Sequence, residues 1–154
     1  MPTTSDKRSA LTRRAFVAGA VASAPMIRAV QAKAGEGPVR LKCQFADQGF
    51  TVGLFDTPAA RDLVSLLPLD LTIEDYASNE KIAYLPRKLT EEGAAPFTDE
   101  AVGDVCTYAP WGNLVFFYAP YRYSRGLIRI GRIEGGIEPL LVRGTFPFSV
   151  TRIA

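Results

Sequence analysis

The sequence predicts a mainly β fold: a small, closed, mostly antiparallel barrel with one capping α-helix. Three observations predict it. Residues 39–45, VRLKCQF, alternate apolar and polar one by one, the pattern of a half-buried strand. One stretch alone, 57–68, carries a convincing helical period. Residues 113–119, NLVFFYA, are apolar on both faces, which reads as a central strand buried by the barrel interior on one side and by the helix on the other. Seven or so strands with a single helix suggest a small, mostly antiparallel barrel with a helical cap.

The elements follow in order. In 39–45, Val39, Leu41, Cys43 and Phe45 share one face and Arg40, Lys42 and Gln44 the other. A turn at Asp47, Gln48 and Gly49 leads to a returning strand over 50–56, so the first two strands form a hairpin. Thr57 is a suitable N-cap and Pro58 a suitable first helical residue. Ala60, Leu63, Val64 and Leu67 then fall on one stripe until Pro68 stops a three-turn helix. Residues 67–81 read as a loop-rich crossing, 81–85 as a short strand ended by Pro86, and 90–102 as an acidic surface loop. Strands over 103–109 and 113–119 flank Pro110, Trp111 and Gly112, a hairpin connection with proline where a type I turn takes it. In 127–136, Ile128 and Ile130 share a face with Ile133 only if the chain gains a residue, and Gly131 is the natural place for that bulge. Arg129 and Arg132 then both face outward. Residues 136–141 suit a single helical turn and 148–153 a last strand.

The amino-terminal 34 residues read as an export signal instead of part of the domain. Lys7, Arg8, Arg13 and Arg14 form a basic start, an Ala-rich run follows over 15–24, and Ala32, Lys33 and Ala34 make a small-x-small cleavage pattern. Arg13, Arg14 and Phe16 resemble the twin-arginine motif, with Ala18 where that motif often has lysine. The expectation is export through the twin-arginine machinery, cleavage after Ala34, and a periplasmic or secreted domain over 35–154. An amphipathic anchor helix and a basic tail are the alternatives. A permanent span is not expected, since a bilayer needs roughly twenty apolar residues. Residues 1–34 hold six of the 18 Lys and Arg and one of the 16 Asp and Glu, so 35–154 carries 12 basic against 15 acidic groups, a net −3. The basicity therefore sits in the leader and is no argument for nucleic acid. Cys43 and Cys106 both survive cleavage; an oxidising compartment allows a bridge, and deep burial in a chain exported already folded would keep the thiols reduced. With two cysteines and no histidine, no metal site is expected.

Several segments together resemble the bacterial cyclophilin-like fold proteins, a family of small barrels of largely undefined role. They are LLPLDL at 66–71, NEKIAYLP at 79–86, GDVCTYAPWGNLVFFY at 103–118 and IRIGRIEGG at 128–136. The resemblance runs from Val39 to Ile153 and implies a closed barrel of about eight strands with a helix over an open end. It does not bring prolyl isomerase activity with it. The phenylalanine, glutamine and histidine segments that line the proline pocket of true cyclophilins have no counterpart, and the chain has no histidine. A fold alone assigns no function.

The ring-rich stretch 103–123 divides in two. Phe116 and Phe117 read as core. Trp111 at a hairpin tip, and Tyr121 and Tyr123 with Arg122 and Arg125 in a polar loop, are candidates for a binding surface, because rings and guanidinium groups give area and hydrogen bonds at modest entropy cost. The alternative packs those rings on the barrel rim. Arg129 and Arg132 on one side of a bulged strand suit a carboxylate or phosphate; pairing with Asp104 or Glu134 is the plainer alternative. Glu80 and Lys81 read as an exposed pair of little consequence. Tyr84 and Tyr118 are candidates for the barrel mouth. Ser124 and Ser149 have no histidine to activate them, and Cys43 has the look of a core residue. No catalytic residue and no cofactor is predicted. The expected role is binding of a small molecule or peptide at the barrel mouth; the alternatives are a divergent prolyl isomerase using Arg129 or Arg132, and a protein-interaction module in the periplasm.

Overall fold

The structure of the protein is a computed structural model that describes residues 37–154. Arg13, Arg14 and Phe16 of the expected export motif, and the expected cleavage position after Ala34, lie outside the described residues. Eight strands close into one barrel: β1 (Arg40–Phe45), β2 (Gln48–Leu54), β3 (Leu69–Tyr76), β4 (Glu80–Tyr84), β5 (Asp104–Tyr108), β6 (Asn113–Phe117), β7 (Leu127–Glu134) and β8 (Phe146–Arg152). Around the ring they run β1-β2-β7-β5-β6-β4-β3-β8, and every neighbour is antiparallel. Closure leaves no strand edge unpaired.

The interior is packed with side chains, as a barrel of this size must be. Leu41, Cys43 and Phe45 of β1 point in, as their alternation predicts. Phe50 stands 5.5 Å from Phe116, 6.2 Å from Phe148 and 6.3 Å from Phe45, which fills one half with rings. Helix α1 (Pro58–Ser65) caps the other end, burying Ala59, Ala60 and Leu63. Thr57 accepts a hydrogen bond from the Ala60 N–H at 3.2 Å and Pro58 opens the first turn. The helix is eight residues rather than three turns: the Leu66 and Leu67 N–H groups donate three residues back, to the Leu63 and Val64 carbonyls, and the α-helical pattern ends there. A 3₁₀ turn (Glu138–Leu141) closes the far end with Leu140.

Several expectations are corrected. Residues 69–76 form a full strand, not a loop-rich crossing. Leu69, Leu71 and Ile73 face the core, but the fourth inward position is Asp75, which pairs with Lys81 at 2.9 Å directly across the ladder. That acid interrupted the apolar alternation in the sequence. Lys81 is accordingly not an exposed charge but 0 % exposed, inside the barrel beside the Phe45 ring. The outer face of β6 is not covered by the helix. Val115 and Phe117 join Ile82, Cys106, Tyr121 and Leu127 in a second cluster, beneath the chain that returns from β6 to β7. The first hairpin turns at Ala46 and Asp47, one step earlier than the sequence indicates, because Ala46 adopts a left-handed conformation (φ 49°).

The bulge in β7 is present. Gly131 pairs with Val105 and Arg129 with Cys106, so Ile130 is the extra residue. As a result Ile128, Ile130 and Ile133 all reach the core while Arg129 and Arg132 turn outward. Both cysteines are free and buried, Cys43 in the interior and Cys106 in the outer cluster, on opposite faces of the barrel wall.

Candidate functional site

The outer face of β5 and β7 is organised by Asp104, which is fully buried at the start of β5. Its carboxylate accepts hydrogen bonds from the Ala101 N–H at 2.9 Å and the Tyr121 hydroxyl at 2.7 Å. Arg132 adds two more, from Nε at 3.1 Å and Nη2 at 3.0 Å, and Arg129 approaches at 3.4 Å. Burial alone would raise this carboxyl's pKa, but the bonds from Ala101, Tyr121 and Arg132 and the charge of Arg129 outweigh it, and it is held below its usual value. Arg129 is further engaged by Asp99 at 2.8 Å and lies over the Phe97 ring at 4.5 Å. Both arginines thus take Asp104 as their partner.

Tyr121 carries this cluster across to a groove. Its phenol is tied to Asp104, burial raises its pKa, and its ring stacks on Phe117 at 3.5 Å, nearly parallel. The chain from 118 to 126 is laid over the sheet by three bonds: the Tyr118 N–H to the Asn79 carbonyl, Asn79 Nδ2 to the Pro120 carbonyl, and the Tyr123 N–H to Glu100. Opposite it rises the β5–β6 hairpin. Gly112 (φ 66°) closes a turn in which the Trp111 and Gly112 N–H groups both donate to the Tyr108 carbonyl, and this sets Trp111 at the tip. Trp111 meets Tyr76 edge-on at 5.1 Å and Tyr108 at 5.4 Å.

Between these walls lies a cavity of about 300 Å³. Ile82, Val115 and Phe117 contribute its apolar lining, and Trp111, Tyr76, Tyr108 and Tyr121 its rings. Two polar side chains in it stand out. Burial pushes the pKa of Glu80 up to about 7. Asn113 is wholly buried, yet neither Oδ1 nor Nδ2 has a hydrogen-bond partner. A buried amide with both ends unmet is uncommon, because each end forfeits its bonds to water.

Of the residues singled out from the sequence, the structure brings Trp111 and Tyr121 together in this groove. Tyr123, on the returning chain itself, packs against Phe97 at 5.0 Å and does not line the groove. Tyr118 turns to the interior and accepts a hydrogen bond from Arg143 at 3.2 Å. Tyr84 is exposed beside a separate shallow depression with Leu69, Thr72 and Pro86. The groove itself lies on the outside of the sheet, not at an end of the barrel. Asn113, Glu80, Tyr76 and Tyr108 were not anticipated. The available signal was parity: counted from β4 and β6, Glu80 falls on the face of Ile82, and Asn113 on the face of Val115 and Phe117. Among the described residues no cluster of three or more His, Cys, Asp or Glu comes together to hold a metal.

A closed eight-stranded antiparallel barrel capped by one helix has the cyclophilin-like architecture. The chain belongs to the Cyclophilin-like family, which it matches over residues 43–151. Among solved structures it is similar to the hypothetical protein AF2241 from Archaeoglobus fulgidus, at 23% identity and a TM-score of 0.54, covering 77% of this chain and 99% of that one. At that identity the likeness concerns the fold. No curated protein matches the chain.

Proposed function

We propose that this domain is a non-catalytic binding module that takes a small molecule in the groove between Trp111 and Tyr121. The observation that carries the reading is an aromatic-walled cavity lined by a buried, unpartnered amide. A few convergent polar groups in an apolar concavity are the usual make-up of a small-molecule site, and about 300 Å³ suits a ligand of one or two rings. The chemistry around it argues against nucleophilic catalysis. Burial pushes the Cys106 thiol up to about 12, which leaves no thiolate at neutral pH. Arg129 and Arg132, the groups a divergent prolyl isomerase would use, are already paired with Asp104. We further read the protein as exported and periplasmic, on the strength of Arg13, Arg14, Phe16 and the Ala34 cleavage pattern.

Trp111 is the chain's one tryptophan, so its fluorescence reports on the groove directly. Titration with one- and two-ring heterocycles is expected to shift or quench that emission saturably. Titration with a short Ala-Pro peptide, with cis–trans exchange followed by NMR, is expected to show no acceleration. Faster exchange at catalytic protein concentration would overturn the non-catalytic reading. For export, replacing Arg13 and Arg14 with lysine is expected to hold the chain in the cytoplasm, and unchanged export would overturn that part.

A further inference from the structure

The orphaned amide says more than that something binds; it constrains what binds. Asn113 offers a carbonyl oxygen and an NH₂ group on one planar unit, and in this fold neither is used by the protein. A ligand that satisfies both at once must present a donor and an acceptor side by side, in the same plane. A primary carboxamide or a lactam does so, closing a pair of antiparallel N–H···O bonds with the asparagine. A carboxylate offers only acceptors and a simple ketone only one, so each leaves half of Asn113 unmet.

The rest of the groove specifies the body that carries this edge. Trp111, Tyr76, Tyr108 and Tyr121 wall it with rings, and Ile82 and Val115 supply an apolar floor, so the fitting body is flat and aromatic. Glu80 and Arg122 also line it, one acidic and one basic side chain, which favours neither a strongly anionic nor a strongly cationic ligand. The Asn113 amide is covered by its neighbours. Trp111 and Tyr76, 43% and 44% exposed, meet edge-on at 5.1 Å and line the same groove as Asn113.

We propose that the groove selects a flat heterocycle bearing a primary carboxamide or lactam edge, which Asn113 reads through paired hydrogen bonds. The proposal rests on the binding role assigned to the groove above, and it goes further by naming the ligand's chemistry. Asn113 is then a specificity residue, retained despite the cost of an unsatisfied polar group in the folded protein.

The test compares two probes of nearly equal shape, nicotinamide and 3-acetylpyridine, in which a methyl group replaces the NH₂. Binding to the protein is read by Trp111 fluorescence and by backbone NMR shifts at Val115 and Phe117. Nicotinamide is expected to bind at least about tenfold more tightly, because the ketone leaves a buried acceptor without its donor. In Asn113→Leu, a change that keeps the side-chain shape, the preference is expected to vanish while the ketone still binds. Equal affinity of the two probes for the unaltered protein, as when a water molecule alone serves Asn113, overturns the proposal and leaves the groove as a ligand site. A preference that persists in Asn113→Leu also overturns it. If neither probe nor any other ring compound perturbs Trp111, the binding role and the proposal fall together. The two-probe comparison on the unaltered protein does not depend on the variant folding.

Discussion

Asn113 and Glu80 are two residues the protein would fold more securely without, and each can be tested on that ground alone. Asn113→Leu replaces an unsatisfied buried amide with an apolar group of the same shape. Stability is expected to rise by about 1–3 kcal/mol, measured by urea unfolding at constant slope. Glu80 carries a pKa raised from 4.5 to about 7 by burial, so the folded protein holds its proton more tightly than the unfolded chain does. The stability it contributes is therefore full below about pH 4.5 and declines as pH climbs toward 7, then stays level. Asp104 and Asp75 act in the opposite sense, with pKa values lowered in the fold, and their contribution is lost only as the medium becomes more acid than the ordinary carboxylate value of 3.8. Melting temperature followed from pH 4.5 to 7 is expected to fall in the native protein and to fall less in Glu80→Gln. Neither residue was legible as functional in the sequence. A polar residue opening an apolar strand reads as a turn residue, and a Glu-Lys pair reads as solvent-facing. Their setting lies in other strands and in the returning chain: Asn113 is wholly buried and Glu80 half-buried, and both line the groove with Tyr76, Tyr108 and Tyr121.

At the scale of elements, local pattern told most where a strand has one wet and one dry face. In β1 the alternation reads directly. In β7 the slipped isoleucine pattern located the bulge to within one residue, since three isoleucines share the core only with Ile130 inserted. In β3 the pattern failed because its last inward position is an acid, and the sense of Asp75 lies in Lys81, on another strand. Helix α1 was recognised from its cap and stripe, and its place over a barrel end was expected, but which end it closes was not, because no periodicity states that. The β2–β7 contact gives a sharp prediction. A Cβ on Gly131 would stand 2.5 Å from the Gly53 carbonyl oxygen and 3.2 Å from the Leu54 Cα, both backbone atoms with no freedom to swing away. Gly131→Ala is expected to cost about 1–3 kcal/mol by forcing the two strands apart, read as a lowered urea midpoint.

For the molecule as a whole, the closed ring separates two packed regions with the barrel wall between them, and each holds one thiol. Burial pushes both Cys43 and Cys106 up to about 12. In the folded protein at pH 8, iodoacetamide is expected to modify neither, and after denaturation both, as counted by intact mass. Rapid modification of the native protein would show that one region opens.

The ring has a further property. β1 and β8 share a ladder, and the Ile153 N–H donates to the Arg40 carbonyl at 2.9 Å, so the backbone enters and leaves the barrel at adjoining points. The order of strands around the circle is thus independent of where the polymer is cut. A short linker joining those two points, with new termini opened in the exposed turn at 91–93, would keep all eight ladders and the groove intact. Topologically the molecule is a loop whose seam can be moved.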